Sequence, residues 1–379
     1  MALALTEEQS MLGDSVRAFL TEQAPVTHLR ALRDSRSPEG YSPALWQRFA
    51  ELGFTGTLIP EAHGGLGLGA VEAGVIGEAL GHTLTPSPFL SSAVIAAALL
   101  ADGGSPEQQA KWLPAIARGS LIAALALDEK PKHQPQSIAL AAQQSGSGFR
   151  LDGHKTFVVD GHVAGLRTVG ARTAGESNED DGIGFLGGEP ASHGVTIERT
   201  AMVDAHNAAR IAFAAVEVGA DALIGPLHGG RPLLDRVLDL ARAVVASELV
   251  GIADEVLART TRYLGERKQF SRTIGEFQAL QHRAAHLYCE IEVARAITLK
   301  AQQALAGGAG DARLLVTAAK AKAGSAATRA VQEGVQMHGG IGVTDEFEMG
   351  FFMKRARVLQ ELLGDANFHG DRLATLQQY

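Results

Sequence analysis

"ERKQFSRTIGEFQALQH", residues 266–282, is the stretch on which the reading of this chain turns. It sets Arg267, Lys268 and Arg272 around Phe270, and Gln278 follows. Basic side chains beside glycine can hold a phosphate or pyrophosphate, and an aromatic ring can cover an adenine. A solvated basic helix end has the same composition, so the stretch by itself leaves both readings open. On its N-terminal side Val237, Leu240, Val244, Val245, Leu249, Ile252 and Val256 recur at helical spacing, an apolar stripe that predicts one long helix. On its C-terminal side Phe277, Leu280, Leu287, Ile291, Ala294 and Ile297 predict a second. Gly307, Gly308 and Gly310 break the chain before an alanine-rich third helix near Asp311. "MHGGIGVTDEFEMG" (337–350) is a turn-rich link to a fourth. Residues 229–379 are therefore expected to form a four-helix bundle.

Working outward, residues 118–228 change character. "LIAALAL", "SIALAA", "FRLDG", "TFVVDG", "RTVGART", "GIGFLG", "VTIERT" and "ARIAFAAVEVG" are short β-like runs punctuated by Gly, Asp, Ser and Asn. "AGESNEDDG" (174–182) reads as an exposed turn. No helix separates the runs, which predicts an antiparallel barrel or sandwich. Residues 1–117 read as helices: Thr6 ahead of Glu7, Glu8 and Gln9 is a helix start, and Gly53 is a helix stop. The expected class is α+β, in the order helical domain, β domain, bundle.

Composition narrows the function. Of 379 residues, 46% are apolar and 20% charged, with a net charge of −8, which argues against a sequence-independent nucleic-acid binder. The single cysteine, Cys289, sits in an apolar helical pattern and is expected to be a buried, inert thiol. No basic segment precedes a long apolar run at the start, and no run is long enough to span a membrane. A cytoplasmic protein without a metal site is the expectation.

A second glycine-rich stretch, "QMHGGIGVT" (336–344), fits either a ligand or a plain helix end. Gly339, Gly340 and Gly342 let backbone approach a ligand, and Gln336 and His338 offer polar tips. A helix C-cap and turn would look the same. Taken together the two stretches are far more specific. "ERKQFSRTIGEFQ" resembles the "ERxxFGxxIxxFQ" of the acyl-CoA dehydrogenase family, and "QMHGGIGVT" resembles its "QxxGGxG". "LTEEQSMLGDSVRAFL", "IPEAHGGLGLG", "GEALGHTLTPSPF" and "LDGHKTFVVDG" resemble further landmarks, so the resemblance covers essentially the whole chain.

The resemblance implies an FAD enzyme that removes two hydrogens across the Cα–Cβ bond of an acyl-CoA, with electron-transfer flavoprotein as acceptor. Such chemistry needs a base for the α-proton and polarisation of the thioester carbonyl. In the family the base is a glutamate near the chain end or, in a minority, on the first bundle helix before an arginine. Counting forward from Gln336 places Leu363 at the first position; counting back from Glu266 places Ala241 at the second, before Arg242. Neither side chain accepts a proton. Glu361 and Asp365 stand four apart, on one face if "RARVLQELLGDANFH" (355–369) ends a helix, and remain alternative carboxylates or solvated helix-end acids.

The β domain departs as well. "LDEKPKHQPQS" (127–137) replaces the family's "TEPxxGSD" loop, with Asp128 and Glu129 matching its start, and Phe157 and Val159 stand where a tryptophan and a threonine flank the flavin. Retained are Arg267, Phe270, Gln278, Gln336, Gly339 and Gly340, which the resemblance assigns to the ADP half of an FAD shared across a subunit interface. That split implies the companion chain of an α2β2 acyl-CoA dehydrogenase, completed by a base-carrying paralogue. A self-sufficient homo-oligomer with a displaced carboxylate and a non-catalytic paralogue are the alternatives.

Overall fold

The structure is a computed structural model that describes residues 3–179, 181–188 and 193–379. The helices are α1 (Glu7–Gln23), α2 (Val26–Ser35), α3 (Pro43–Glu51), α4 (Ala70–Thr83), α5 (Ala97–Gly103), α6 (Pro106–Ala117), α7 (Arg231–Glu266), α8 (Gln278–Ala306), α9 (Ala312–His338), α10 (Met349–Glu361) and α11 (Ala366–Leu376). Two compact units emerge. One holds the chain up to Ala31, Ala70–Thr85 and Arg242–Tyr379; the other holds Leu32–Gly69 and Pro86–Ala241.

In the first unit, α1 starts where the sequence predicts. Thr6 Oγ1 accepts from Gln9 N at 3.2 Å, and Gln9 Oε1 accepts from Thr6 N at 2.9 Å, closing a capping box. Helix α7 differs from the single stripe expected, because every residue from Ala241 to Ala253 is buried. A helix covered on all sides must also bury polar residues: Arg242, Ser247 and Glu248 lie inside, and Glu248 is answered by Arg355 Nε at 2.7 Å. Helix α4 joins this unit because glycines let it close on its neighbours. A Cβ on Gly81 would stand 2.2 Å from Glu248 O, and one on Gly251 only 2.0 Å from Glu78 O. Helix α8 buries Leu287, Ile291, Ala294, Thr298 and Ala301 at helical spacing. Cys289 is exposed rather than buried as expected. Two residues past Leu287 is about 200° around a helix, so its thiol faces outward.

In the second unit β1 (Ala123–Ala126), β2 (Ala141–Ser145), β3 (Gly148–Val159), β4 (Leu166–Arg172), β5 (Ile183–Gly188), β6 (Val195–Ala201), β7 (Asn207–Gly219) and β8 (Leu223–Ile224) form one sheet, in the order β6-β7-β3-β2-β4-β5-β8 with β1 beside β4. Most neighbours are antiparallel, as the sequence implied. Two pairings differ: β1 and β2 each run parallel to β4. The tight β2–β3 hairpin turns at Gly146 (φ 56°) and Ser147, so β3, and no crossover helix, connects β2 to β4. "FRLDG" and "TFVVDG" belong to one strand, β3, which carries irregularities between Leu151 and Gly153 and between Lys155 and Val158. The turn expected at 174–182 lies between β4 and β5. Arg172 grips it by donating to the carbonyls of Ser177, Glu179 and Asp181; residue 180 is outside the described residues. Among the described residues no helix is long and apolar enough to cross a membrane.

Candidate functional site

A short hairpin, β9 (Lys268–Gln269) and β10 (Arg272–Thr273), joins α7 to α8. Its two turn residues, Phe270 (φ 52°) and Ser271 (φ 63°), are both left-handed, the geometry that tight hairpins demand. The turn lifts Phe270 outward until 82% of it is exposed, with its ring edge on Phe277 at 6.0 Å. Leu264, Ile274 and Met337 form the apolar base beneath, backed by Tyr263, Phe277 and Leu280.

Above this base runs a cleft of about 680 Å³, within the range of small-molecule sites. The candidate cofactor contacts Arg267, Phe270, Gln336, Gly339 and Gly340 line it, and so does His338. Gln278 opens α8, exposed and outside this lining. Gly339 (φ 66°) ends α9 in a conformation few side chains tolerate. No described atom lies within 4 Å of the place a Cβ would take on Gly339 or on Gly340, so the backbone here is open to a ligand. Arg267 has no acidic partner among the described residues. An unspent cation beside bare backbone suits a diphosphate.

Tyr263 was missed in the sequence, though it lies one turn before Arg267. Its ring stacks on His338 at 4.5 Å, and its hydroxyl donates to the His338 carbonyl at 3.3 Å, fixing the peptide that leads into the two glycines. His338 Nδ1 lies 2.7 Å from Gly334 O, and burial, opposed by that hydrogen bond, pulls its pKa below the usual value.

The region of the expected base is built differently. Helix α10 ends at Glu361, Leu363 (φ 60°) and Gly364 (φ 110°) make a left-handed turn, and Asp365 starts α11. Glu361 and Asp365 therefore do not share one helix face, contrary to the sequence expectation, because Gly364 breaks the helix between them. Asp365 caps α11, accepting from Phe368 N at 2.9 Å, and Glu361 pairs with Arg357 at 2.9 Å. Leu363 is buried, and its carbonyl accepts from Arg242 Nε at 3.1 Å. Lys320 Nζ donates to the carbonyls of Gly364 at 3.0 Å and Gln360 at 3.2 Å. Burial, reinforced by the charge of Arg242 and opposed by Glu361 and Asp365, lowers the Lys320 pKa to about 7. Ala241 is fully buried in α7.

In the β unit, the loop 127–137 is ordered by its two acids. Asp128 meets His133 Nδ1 at 2.9 Å. Glu129 takes Lys155 Nζ at 2.7 Å and the backbone N–H groups of Ala139 and Leu140 at 2.9 Å. Burial alone would raise the Glu129 pKa; the Lys155 charge and these hydrogen bonds overcome it and hold the carboxylate ionised. Beside this pair is a cleft of about 440 Å³ that Phe157 lines, 46% exposed at φ 51°; Val159 is half-buried.

Comparison with known proteins decides the family. The sequence matches the pattern "Acyl-CoA dehydrogenase, N-terminal domain" over residues 6–120 and "Acyl-CoA dehydrogenase, C-terminal domain" over residues 228–375. It is 31% identical to acyl-CoA dehydrogenase IpdE2 of Mycobacterium tuberculosis, across 94% of this chain and 93% of that one. The chain belongs to the acyl-CoA dehydrogenase family. The fold agrees: the solved ChsE4-ChsE5 complex from Mycobacterium tuberculosis superposes with a TM-score of 0.90 at 27% identity, covering 100% of this chain and 99% of that one. The solved Tcur3481-Tcur3483 steroid ACAD gives a TM-score of 0.88 at 30% identity, covering 98% of each. Acyl-CoA dehydrogenases are FAD oxidoreductases, and the open Gly339–Gly340 backbone with Arg267, unpaired among the described residues, fits the diphosphate of that cofactor.

Proposed function

We propose that this chain is the companion subunit of a two-component acyl-CoA dehydrogenase. It contributes contacts to the ADP half of FAD, and a paralogous subunit contributes the base. One observation carries the reading: Leu363, which the count from Gln336 sets at the place of the family glutamate, is buried in a turn whose carbonyls are bound by Arg242 and Lys320. A hydrocarbon there cannot take the α-proton, and Ala241 at the other family position cannot either.

The residues of the chain divide the work accordingly. Arg267 supplies positive charge to the pyrophosphate, Gly339 and Gly340 admit it close to backbone, and exposed Phe270 covers the adenosine. Gln336 borders the same cleft, and Gln278, at the start of α8, reaches the shared interface. FAD, when bound, supplies the hydride acceptor. The α-proton goes to a glutamate of the paralogue, and electrons pass on to electron-transfer flavoprotein. Two similar solved structures, the ChsE4-ChsE5 complex and the Tcur3481-Tcur3483 steroid ACAD, bear paired names, which supports a two-component assembly.

The test is flavin absorbance after gel filtration. The chain mixed with a base-carrying paralogue is expected to elute as one larger species with the flavin spectrum, and the chain alone without it. A yellow, acyl-CoA-reducible chain on its own would favour a self-sufficient enzyme.

A further inference from the structure

The β unit contains a buried cation that no carboxylate answers. Arg167, in β4, is only 5% exposed. Its Nε donates to Gly161 O at 2.8 Å, while its Nη1 meets no acceptor and no acidic side chain pairs with it among the described residues. Burial pulls the guanidinium pKa below its usual value, and no carboxylate raises it.

The surroundings leave room beside it. Arg167 lies opposite Gly188 of β5, and the next pair on that side of the ladder is Val169 with Leu186. A Cβ on Gly188 would have no described atom within 4 Å, so among the described residues the space where a side chain would stand is open. Leu151 of β3 and Phe213 of β7 contribute to the far wall, which is apolar. The room beside it is about 20 Å³, enough for one particle of water size. Such a space is too small for a carboxylate-bearing ligand. A neutral water would satisfy the orphan donor but leave the charge uncompensated, and a buried charge is costly until it is paired.

We propose that Arg167 Nη1 and the open side of Gly188 form a site for one small monovalent anion of halide size, bound between the two halves of the β sheet. The anion completes the charge balance of the β unit and stabilises it in proportion to its concentration.

Bromide is the probe. Crystals of the full chain grown with sodium bromide in place of chloride are expected to show an anomalous peak at Arg167 Nη1. Thermal unfolding in sodium bromide, against sodium gluconate at equal ionic strength, is expected to rise by about 2–4 °C for the wild type. The rise should vanish in Arg167→Met. A water at Nη1 in crystals that carry bromide elsewhere overturns the site, as does an equal rise in Arg167→Met. Should that variant not fold, Gly188→Val keeps the cation and fills the space. It is expected to lose the bromide peak, and a peak that persists in it also overturns the site.

Discussion

Two helix junctions of the bundle unit were candidates for chemistry, and they spend their polar groups in opposite ways. At the junction of α7 and α8, Arg267 is unpaired among the described residues and Gly339 and Gly340 face open space. At the junction of α10 and α11, Arg242 and Lys320 bind the Leu363 and Gly364 carbonyls, Asp365 caps a helix, and Glu361 pairs with Arg357. The first junction keeps its donors in reserve; the second consumes them in holding its own backbone. Residue type alone would not separate the two, since both are rich in charge.

The comparison can be broken at four points. Arg242→Met should have the largest effect, removing a buried guanidinium that holds Leu363 and lies 5.4 Å over the Phe368 ring. A loss of about 3 kcal/mol in urea unfolding is expected, because a charged hydrogen bond and its packing go together. Retained stability would mean the turn stands without its clamp. Arg267→Ala should leave stability unchanged yet weaken FAD binding by the assembled complex roughly ten- to a hundredfold, corresponding to about 1.5–3 kcal/mol. Equal affinity in a fluorescence titration would reduce the basic hairpin to a solvated face.

Lys320 sharpens the contrast through pH. Its folded pKa is lowered to about 7 by burial, against about 10.4 unfolded. Between these values the unfolded chain holds the proton and the folded chain does not, so stability rises with pH across that window. Wild type minus Lys320→Met should gain about 1 kcal/mol per pH unit above neutrality, and below it the two curves should run parallel. The smallest effect is Ser271→Gly. Ser271 sits at φ 63°, where a side chain is disfavoured, so the change should stabilise the hairpin by about 0.5–1 kcal/mol without weakening FAD binding. A loss of affinity would show that the serine hydroxyl touches the ligand.

Much of this was legible in the sequence wherever local chemistry governs. Thr6 and Gln9 mark the start of α1, and Gly53 (φ 81°) follows the end of α3. The glycines at 339 and 340 marked open backbone, and a count from Gln336 reached the left-handed turn at Leu363. What stayed hidden depends on long-range packing. The parallel pairings of β1 and β2 with β4 need tertiary geometry. The burial of α7 on all sides, which turns Arg242 and Glu248 into core residues, depends on neighbours far along the chain. So does the outward face of Cys289. Asp365 shares a face with Glu361 only if the helix runs through Gly364, and whether it does depends on the left-handed turn that Leu363 and Gly364 make.

The proposed division of labour sends the α-proton to another subunit. Anaerobic flavin bleaching by acyl-CoA in the assembled complex tests it most directly. Asp365→Asn and Glu361→Gln in this chain should bleach at nearly the wild-type rate, Leu363→Glu should add no activity, and the paralogue's glutamate changed to glutamine should abolish bleaching. Loss of bleaching in Asp365→Asn or Glu361→Gln, with the paralogue dispensable, would contradict the account and place the base in this chain.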